Sequence, residues 1–207
     1  MREYTVHESL KPMGLEGISQ EQIEDHWLLY KGYVTQSNLL LKELHQMRID
    51  GLGNSAGYAD RRRRFGFEYA GMTLHEYYFG NLKFGQTLHA TSPLHKGMSE
   101  QLGSFEGWMA DFIATGKTRG IGWAILYLDP ATGQLINQFV QLHEDGNIPG
   151  FIPLLVMDVF EHAYMVDHHA LGRPDYIKAF MHNIHWTMVE KRYIEALKGH
   201  ELLRFAA

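Results

Sequence analysis

The spacing of apolar residues near the start of the chain predicts one long helix after an extended arm. Residues 1–18 show no such spacing and are expected to be the arm. Ser19 followed three residues later by Gln22 has the form of a capping box, so the helix is expected to begin near Gln20 and to end at Gly51. Its apolar residues recur at intervals of three, four and seven, which is helical periodicity: Ile23, Trp27, Tyr30, Val34, Leu41 and Leu44.

Two further helices are predicted before the character of the chain changes. The second runs from Arg61 to about Lys83, and a linker is expected over residues 89–99. The third ends at Gly116. In the first helix, three successive leucines at 39–41 suggest burial on more than one side. The expected inner faces of the second and third helices are Phe65, Tyr69, Met72, Phe79 and Leu82, and then Leu102, Phe105, Trp108, Met109 and Phe112.

The second half of the chain begins with strand patterns. Residues 123–128 and 134–142 flank a turn and predict a hairpin, and a third strand is expected over 152–158. Helix returns from Pro174, because proline suits the first turn, with a break near Asn183. The fold class is therefore predicted to be α+β. It combines an N-terminal long-helix hairpin domain (1–90) with a C-terminal α/β domain (91–207) that contains a small three-stranded antiparallel sheet.

Composition narrows the chemistry that is possible. The 207 residues include no cysteine, which excludes disulfides, thiolate nucleophiles, iron–sulfur clusters and blue-copper sites. With 13 histidines available, any metal site must use imidazole and carboxylate groups. The net charge of −5 argues against a nucleic-acid partner, so the run Arg61–Arg64 is expected to be a solvated helix face. No apolar run is long enough to span a membrane and the N-terminus lacks a signal-peptide core, so no membrane partner and a cytoplasmic location are expected.

Four residues form a candidate metal-binding set. Asp158 and His162 lie four apart at the end of a predicted buried strand, although a structural hydrogen bond explains that pair equally well. His26 and His75 lie on predicted buried helix faces, where a single histidine is more often a packing residue. Three such histidines and one aspartate, from three separate elements, favour a shared site. Nitrogen and carboxylate ligands suit iron, manganese or zinc, and spacing does not choose among them.

Several motifs resemble those of the iron/manganese superoxide dismutases. The segment 150–164, GFIPLLVMDVFEHAY, and the segment RPDYI at 173–177 resemble the C-terminal signature of that family. The segment HEYYFGNL at 75–82 is similar to its second-helix motif, and YVT at 33–35 to its first-helix motif. GIGW at 120–123 is similar to the family's Gly-Ser-Gly-Trp. The resemblance covers nearly the whole chain in the same order.

The resemblance implies a ligand set and a reaction. His26, His75, Asp158 and His162 would bind one iron or manganese ion per subunit, with iron slightly favoured, and the substrate would be superoxide. In the family the gateway tyrosine usually follows the first ligand by eight residues, whereas Tyr33 follows His26 by seven. Either the first helix loses a residue locally, or the alignment shifts by one and Asp25 replaces His26. We prefer His26, because Asp25 would remove an imidazole and add a second carboxylate.

The resemblance also implies the residues around the metal. Tyr33 would be the gateway tyrosine, and Trp123 would form a wall of the pocket. His143 falls where many members of the family have a glutamine that hydrogen-bonds the metal-bound solvent. Members with histidine there pair it with a glycine four residues before the second ligand, and Gly71 agrees with that pairing. Phe160 replaces the family's tryptophan and would enlarge the pocket by about a ring.

An assembly is implied as well. Glu161 would reach across the interface of a homodimer, which could pair further into a tetramer, to His162 of the other subunit. Arg173 would lie near the substrate funnel, where it and Lys31 could steer a small anion toward a chain of negative net charge.

Two other functions remain open at this stage. A non-haem iron oxygenase uses two histidines and one carboxylate with open positions, although a fourth protein ligand speaks against it. A degenerate homologue would hold a structural metal or none.

Overall fold

The computed structural model describes residues 2–204, and for residues 199–204 only the course of the helix. Two long helices, α1 (Gln20–Ile49) and α2 (Ala56–Gly80), pack along each other. The start of α1 is confirmed, since Ser19 Oγ accepts the Gln22 N–H at 3.0 Å. The reciprocal contact of a capping box, in which the Gln22 side chain would accept the Ser19 N–H, does not form. The Ser19 N–H donates instead to Asp167 Oδ2 at 2.7 Å, which frees the Gln22 side chain for other contacts.

The segment between the hairpin and the sheet is more helical than its sequence predicts. Helix α3 (Pro93–Gln101) occupies most of the expected linker, and α4 (Phe105–Gly116) follows it as predicted. Ser92 caps α3 through its hydroxyl, which accepts the His95 N–H at 3.2 Å, and Pro93 takes the first helical position. Proline and serine mark a helix start here rather than a loop.

Three antiparallel strands form the sheet in the order β2-β1-β3. Their bounds are β1 (Trp123–Leu128), β2 (Leu135–Val140) and β3 (Ile152–Asp158), so the first and third strands agree with the prediction. The central strand β1 is buried throughout. Its register places Trp123 opposite both Val140 and Asp158.

Three helices complete the fold: α5 (Met165–His168), α6 (Arg173–His182) and α7 (Trp186–Arg204). The predicted break near Asn183 is confirmed. Its amide nitrogen donates to the Glu16 carbonyl at 2.7 Å and its amide oxygen accepts the Glu16 N–H at 3.0 Å, which fastens the N-terminal arm to the break. The α+β fold class is confirmed. Across residues 2–204, no helix is long and apolar enough to cross a membrane.

Two predictions about burial are wrong. Leu39 is 45% exposed, since α1 is covered along one side only and Leu40 takes the inward position. Tyr69 is 38% exposed, although Met72 and Phe79 on the same helix are buried as expected. In each case the residue next to the predicted one faces the core, a difference of about 100° around the helix axis, which apolar spacing alone does not resolve.

Candidate metal centre

Four side chains from separate parts of the fold converge on one buried point. The Nε2 atoms of His26 on α1, His75 on α2 and His162 after β3 lie 3.1, 3.7 and 3.0 Å from Asp158 Oδ2. The four ligand atoms lie within 4.8 Å of one another. His26, His75 and Asp158 are fully buried, and the His162 side chain is 25% exposed. The structure thus brings together the four residues that the sequence predicts as ligands.

The structure identifies His26, and not Asp25, as the residue of α1 that enters the cluster, despite its spacing of seven residues from Tyr33. The helix is continuous from Gln20 to Ile49, and residues seven apart lie within about 20° of each other on a regular helix. His26 and Tyr33 therefore share the inward face without a local irregularity. Asp25 is exposed and does not enter the cluster.

Asp158 is held so that one oxygen faces the histidines. Its Oδ1 accepts the Phe160 N–H at 2.8 Å, an Asx-type turn, and its carbonyl accepts the Tyr176 hydroxyl at 2.7 Å. Burial alone would raise the pKa of this carboxyl group. The charge of His162 and hydrogen bonds from His162 and His26 outweigh that effect and hold the pKa well below its usual range. Asp158 is therefore a carboxylate, the form that binds a metal.

The histidines are positioned as ligands. The His75 Nδ1–H donates to the Gly71 carbonyl at 2.6 Å, which leaves the lone pair of Nε2 free. Within the described residues this buried Nε2 has no hydrogen-bond partner, and burial, with repulsion from His26, lowers the pKa of His75 well below its usual value. The Gln22 amide donates to the His162 carbonyl at 2.7 Å and so ties α1 to the fourth ligand. A hydrogen bond from the second ring nitrogen, such as that from His75 Nδ1–H to the Gly71 carbonyl, fixes the tautomer of a metal-binding histidine.

The chemistry of these donors fits a metal ion. Three imidazole nitrogens and one carboxylate oxygen suit iron, manganese or zinc. Bonds of about 2.1 Å allow at most about 4.2 Å between two ligand atoms, so small side-chain shifts from the observed spread of up to 4.8 Å would bring all four to one ion. An unpartnered buried nitrogen costs free energy in the absence of such an ion.

Three further predicted residues adjoin the cluster as a hydrogen-bonded chain. Trp123 Nε1 donates to His143 Nδ1 at 3.2 Å, and His143 Nε2 lies 2.6 Å from the Tyr33 hydroxyl. Tyr33 and Trp123 both pack against the ring of His75, with centroids 5.0 and 5.1 Å apart. Because the indole N–H is only a donor, the neutral imidazole of His143 carries its proton on Nε2 and donates it to Tyr33.

The protonation of this chain follows from its burial. Burial lowers the pKa of His143 to about 4, against a smaller opposing effect of the Asp158 charge, so the imidazole is neutral at pH 7. Burial, reinforced by Asp158, raises the pKa of Tyr33 above its usual value. The tyrosine therefore keeps its hydroxyl proton at neutral pH, and this proton is free to be donated elsewhere.

A positioning residue that the sequence analysis missed holds His143 in place. His143 lies in the loop after β2, where the Asn147 amide donates to its carbonyl at 2.6 Å. The Tyr127 hydroxyl on β1 in turn donates to Asn147 Oδ1 at 3.0 Å. In the sequence Asn147 resembles an ordinary loop residue, and only the loop conformation gives it this contact. Gln22, read as a capping residue, was missed in the same way.

The two remaining predicted residues differ in their surroundings. Phe160 stacks on His162 with centroids 5.2 Å apart and also contacts His143 at 5.0 Å. Glu161 is exposed, and its carboxylate makes no hydrogen bond or ion pair with the rest of residues 2–198. In a single chain, therefore, Glu161 does not take part in the cluster.

We expect Gly71→Ala to disturb the Tyr33–His143 chain. A Cβ at position 71 would lie 2.7 Å from Tyr33 Cδ1 and 3.1 Å from His143 Cδ2, so the rings must move at a cost of about 1–3 kcal/mol. Gly66→Ala on the same helix is the matched control, because its Cβ meets only Glu144 at 3.9 Å. That control should gain about 0.5–1 kcal/mol in helix propensity. Thermal unfolding and turnover of both variants check this, and equal behaviour of the two would contradict it.

Comparisons with known proteins agree with this site. Residues 90–192 match the family model for iron/manganese superoxide dismutases, C-terminal domain. A superoxide dismutase [Fe] of Aquifex aeolicus (strain VF5) is 39% identical over 200 residues, which are 94% of this chain and 93% of the relative. A superoxide dismutase [Fe] of Cupriavidus metallidurans is 31% identical over 205 residues, or 91% and 98% of the two chains. Superoxide dismutase [Mn] 2 of Haloferax volcanii is 31% identical over 170 residues, or 82% and 83%.

Proposed function

The chain belongs to the iron/manganese superoxide dismutase family, and we propose that its four-residue cluster holds one iron ion per subunit. The protein is an oxidoreductase that converts superoxide to dioxygen and hydrogen peroxide. The observation that carries the metal assignment is the convergence of three Nε2 atoms on Asp158 Oδ2, with that of His75 left unpartnered. Iron is favoured over manganese because the relatives of higher identity are iron enzymes by name, at 39% and 38%.

The reaction balances as two superoxide anions plus two protons giving one dioxygen and one hydrogen peroxide. A bound iron or manganese ion would supply the one-electron chemistry, because each has two accessible oxidation states. Zinc has only one and cannot take part in such chemistry. His26, His75, Asp158 and His162 bind and orient this ion. Asp158 adds one negative charge, which offsets part of the positive charge of the site.

The remaining task of the chain is proton delivery, since the peroxide product needs two protons. Tyr33 and His143 hold protons next to the cluster, on the hydroxyl and on Nε2. Trp123 keeps His143 in the required tautomer by donating to Nδ1. Phe160 packs on His162 and Trp123 packs on His75, so apolar rings cover part of the cluster and limit the access of water to it.

Metal analysis and a superoxide assay on one purified sample test the proposal. We expect about one iron per chain and dismutation that is lost on chelation and restored by iron. A metallated protein that leaves superoxide unchanged would contradict the dismutase reaction. Full activity with manganese and none with iron would contradict the choice of metal alone.

We propose further that two copies of the chain form a dimer through the face around Glu161. Met165, Val166 and Leu171 are exposed apolar residues in this segment, the last at 94%. Arg173 Nε and Nη2 are shielded from solvent without a hydrogen-bond partner in the described part of the chain. A second copy would cover the exposed apolar residues. In an isologous interface each Glu161 carboxylate would meet His162 of the other subunit, so the contact would occur twice.

Glu161→Ala is therefore expected to weaken the dimer and the metal site together. A carboxylate that accepts the second ring N–H of a ligand histidine raises its basicity, and the loss of such a partner typically costs 10–100-fold in metal affinity. Subunit mass and metal content measured on the same variant check this. A dimeric Glu161→Ala protein with unchanged metal retention, or a fully metallated monomer, would show that the bridge does not exist.

A further inference from the structure

A cavity of about 430 Å³ lies on the outer side of Tyr33, between α1 and α2. Tyr33 lines this cavity and packs its ring against His75, so one side chain separates the cavity from a ligand of the metal cluster. Its other lining residues are Leu28, Leu29, Gly32, Gln36, Leu40, Arg64 and Glu68. In the described part of the chain, Arg64 and Glu68 are the two charged residues in this lining.

These two residues form an ion pair with unequal burial. Arg64 Nε donates to Glu68 Oε1 at 2.7 Å, and its Nη2 lies 2.6 Å from the same oxygen. The Glu68 side chain is 6% exposed, whereas that of Arg64 is 56% exposed. The carboxylate is therefore the inner member of the pair and the guanidinium the outer one. A carboxylate this deeply buried depends on its cation, because an unpaired buried charge is expensive.

The pair is connected to the proton chain through one aromatic ring. The Arg64 guanidinium lies over the ring of Phe67 at 4.2 Å. Phe67 in turn contacts His143, with centroids 4.6 Å apart, and Tyr33, at 6.0 Å. Burial and the negative charges of Asp158 and Glu68 raise the pKa of Tyr33, while Arg64 lowers it, so both charges act at the site.

Neither cation expected from the resemblance lines this cavity. Lys31 is exposed on α1, outside the lining. Arg173 Nη1 donates to the Gly120 carbonyl at 2.6 Å. Arg64 is thus the outer and Glu68 the inner charge that an anion in this cavity would meet.

Building on the proposed function, we propose that the Arg64–Glu68 pair sets the charge of the channel by which superoxide reaches the metal. Arg64 is the steering cation at the mouth, and Glu68 anchors it from within. A cleft lined by charge of one sign raises association rates by about 10–1000-fold, an effect that falls with ionic strength, so removal of either member of this oppositely charged pair should change the rate by a smaller factor. The pair acts on the arrival of the anion and not on the chemical step.

Two single variants should therefore change kcat/KM in opposite directions. Arg64→Gln exposes the uncompensated Glu68 carboxylate and is expected to lower kcat/KM about 3–10-fold at low ionic strength. Glu68→Gln leaves Arg64 unopposed and should raise kcat/KM about twofold. The double variant should return to within about twofold of the unmodified protein. Added salt should shrink all these differences, and kcat should change little.

A second readout does not depend on turnover. Azide is a small anion, and its dissociation constant for the metallated protein is measured from the absorption spectrum. We expect weaker azide binding in Arg64→Gln, tighter binding in Glu68→Gln, and convergence of both at high salt. Arg62→Gln is the matched control: it removes a charge from the same helix, but Arg62 is exposed and bonds only to Tyr58 among the described residues.

The outcomes separate this inference from the proposed function. If the unmodified protein dismutes superoxide but Arg64→Gln and Arg62→Gln show the same dependence on salt, the channel assignment is wrong and the function stands. If Arg64→Gln lowers both kcat and the melting temperature, and the double variant does not restore them, the pair is purely structural and the proposal is overturned. An unmodified protein without activity would count against the function itself.

Discussion

His75→Ala and Asp158→Ala should each abolish tight metal binding and superoxide dismutation. His75 supplies the unpartnered buried Nε2, and Asp158 supplies the oxygen on which the three histidines converge. Residues that only orient ligands cost about 10–100-fold when removed, so the loss of a ligand itself should cost more than about 100-fold. Without Asp158 the site also loses the charge that compensates a bound cation.

The measurement is metal content and specific activity on the same preparation, with folding followed by circular dichroism. His89→Ala is the control, because His89 is an exposed histidine that does not belong to the cluster. Asp158→Asn adds a second arm, since the amide keeps the shape of the carboxylate without its charge. A folded His75→Ala protein with full metal and full activity would remove the ligand assignment.

His143→Ala should keep its metal but lose activity by about 10–100-fold. The imidazole accepts from Trp123 Nε1 and donates to the Tyr33 hydroxyl, and alanine does neither. His143→Gln should recover part of the activity, because an amide offers one acceptor and one donor. His143→Leu is the matched control, since it fills the space without hydrogen bonding. Tyr33→Phe should have a smaller effect, as it removes one hydroxyl from the chain.

These variants are compared by metal content, kcat and pH profile. If His143→Leu were as active as the unmodified protein, the proton-relay role would be wrong. If His143→Ala lost its metal, the residue would act on the ligands instead. Recovery in His143→Gln but not in His143→Leu distinguishes hydrogen bonding from simple packing.

The same residue gives a dependence of stability on pH. Burial lowers the pKa of His143 to about 4 in the folded chain, whereas an unfolded histidine has a pKa of about 6.5. Between these values the unfolded chain binds more protons, so the free energy of unfolding falls as the pH drops from 6.5 toward 4. The metal-free protein should therefore lose about 2–3 kcal/mol more than metal-free His143→Gln between pH 7 and pH 4. Denaturant unfolding at both pH values checks this, and parallel losses would contradict it.

Local sequence patterns predicted much of the secondary structure. The bounds of β1 and β3 and the starts of α1 and α6 agree with the prediction. Each rests on an effect that acts over a few residues: a hydroxyl cap, a proline in the first turn, or an uninterrupted apolar run. The linker over residues 89–99 was misread because the same serine and proline occur in loops, and a helix of nine residues leaves little periodic signal.

Buried faces and family motifs also predict the four ligand positions. The choice between His26 and Asp25 was not settled by either. It depended on the rotation of α1 about its own axis, which packing against α2 fixes for all 30 residues of the helix at once.

What the sequence by itself determined is therefore the set of elements and the chemical types at the site. Only the tertiary structure decided the contacts that give those residues their roles. Trp123 donates to His143 across 20 residues, and Gln22 reaches the His162 carbonyl across 140. The physical reason is that helix caps and periodicity act between near neighbours in the chain, whereas a hydrogen bond between distant residues forms only where the packed core holds both groups at the required distance.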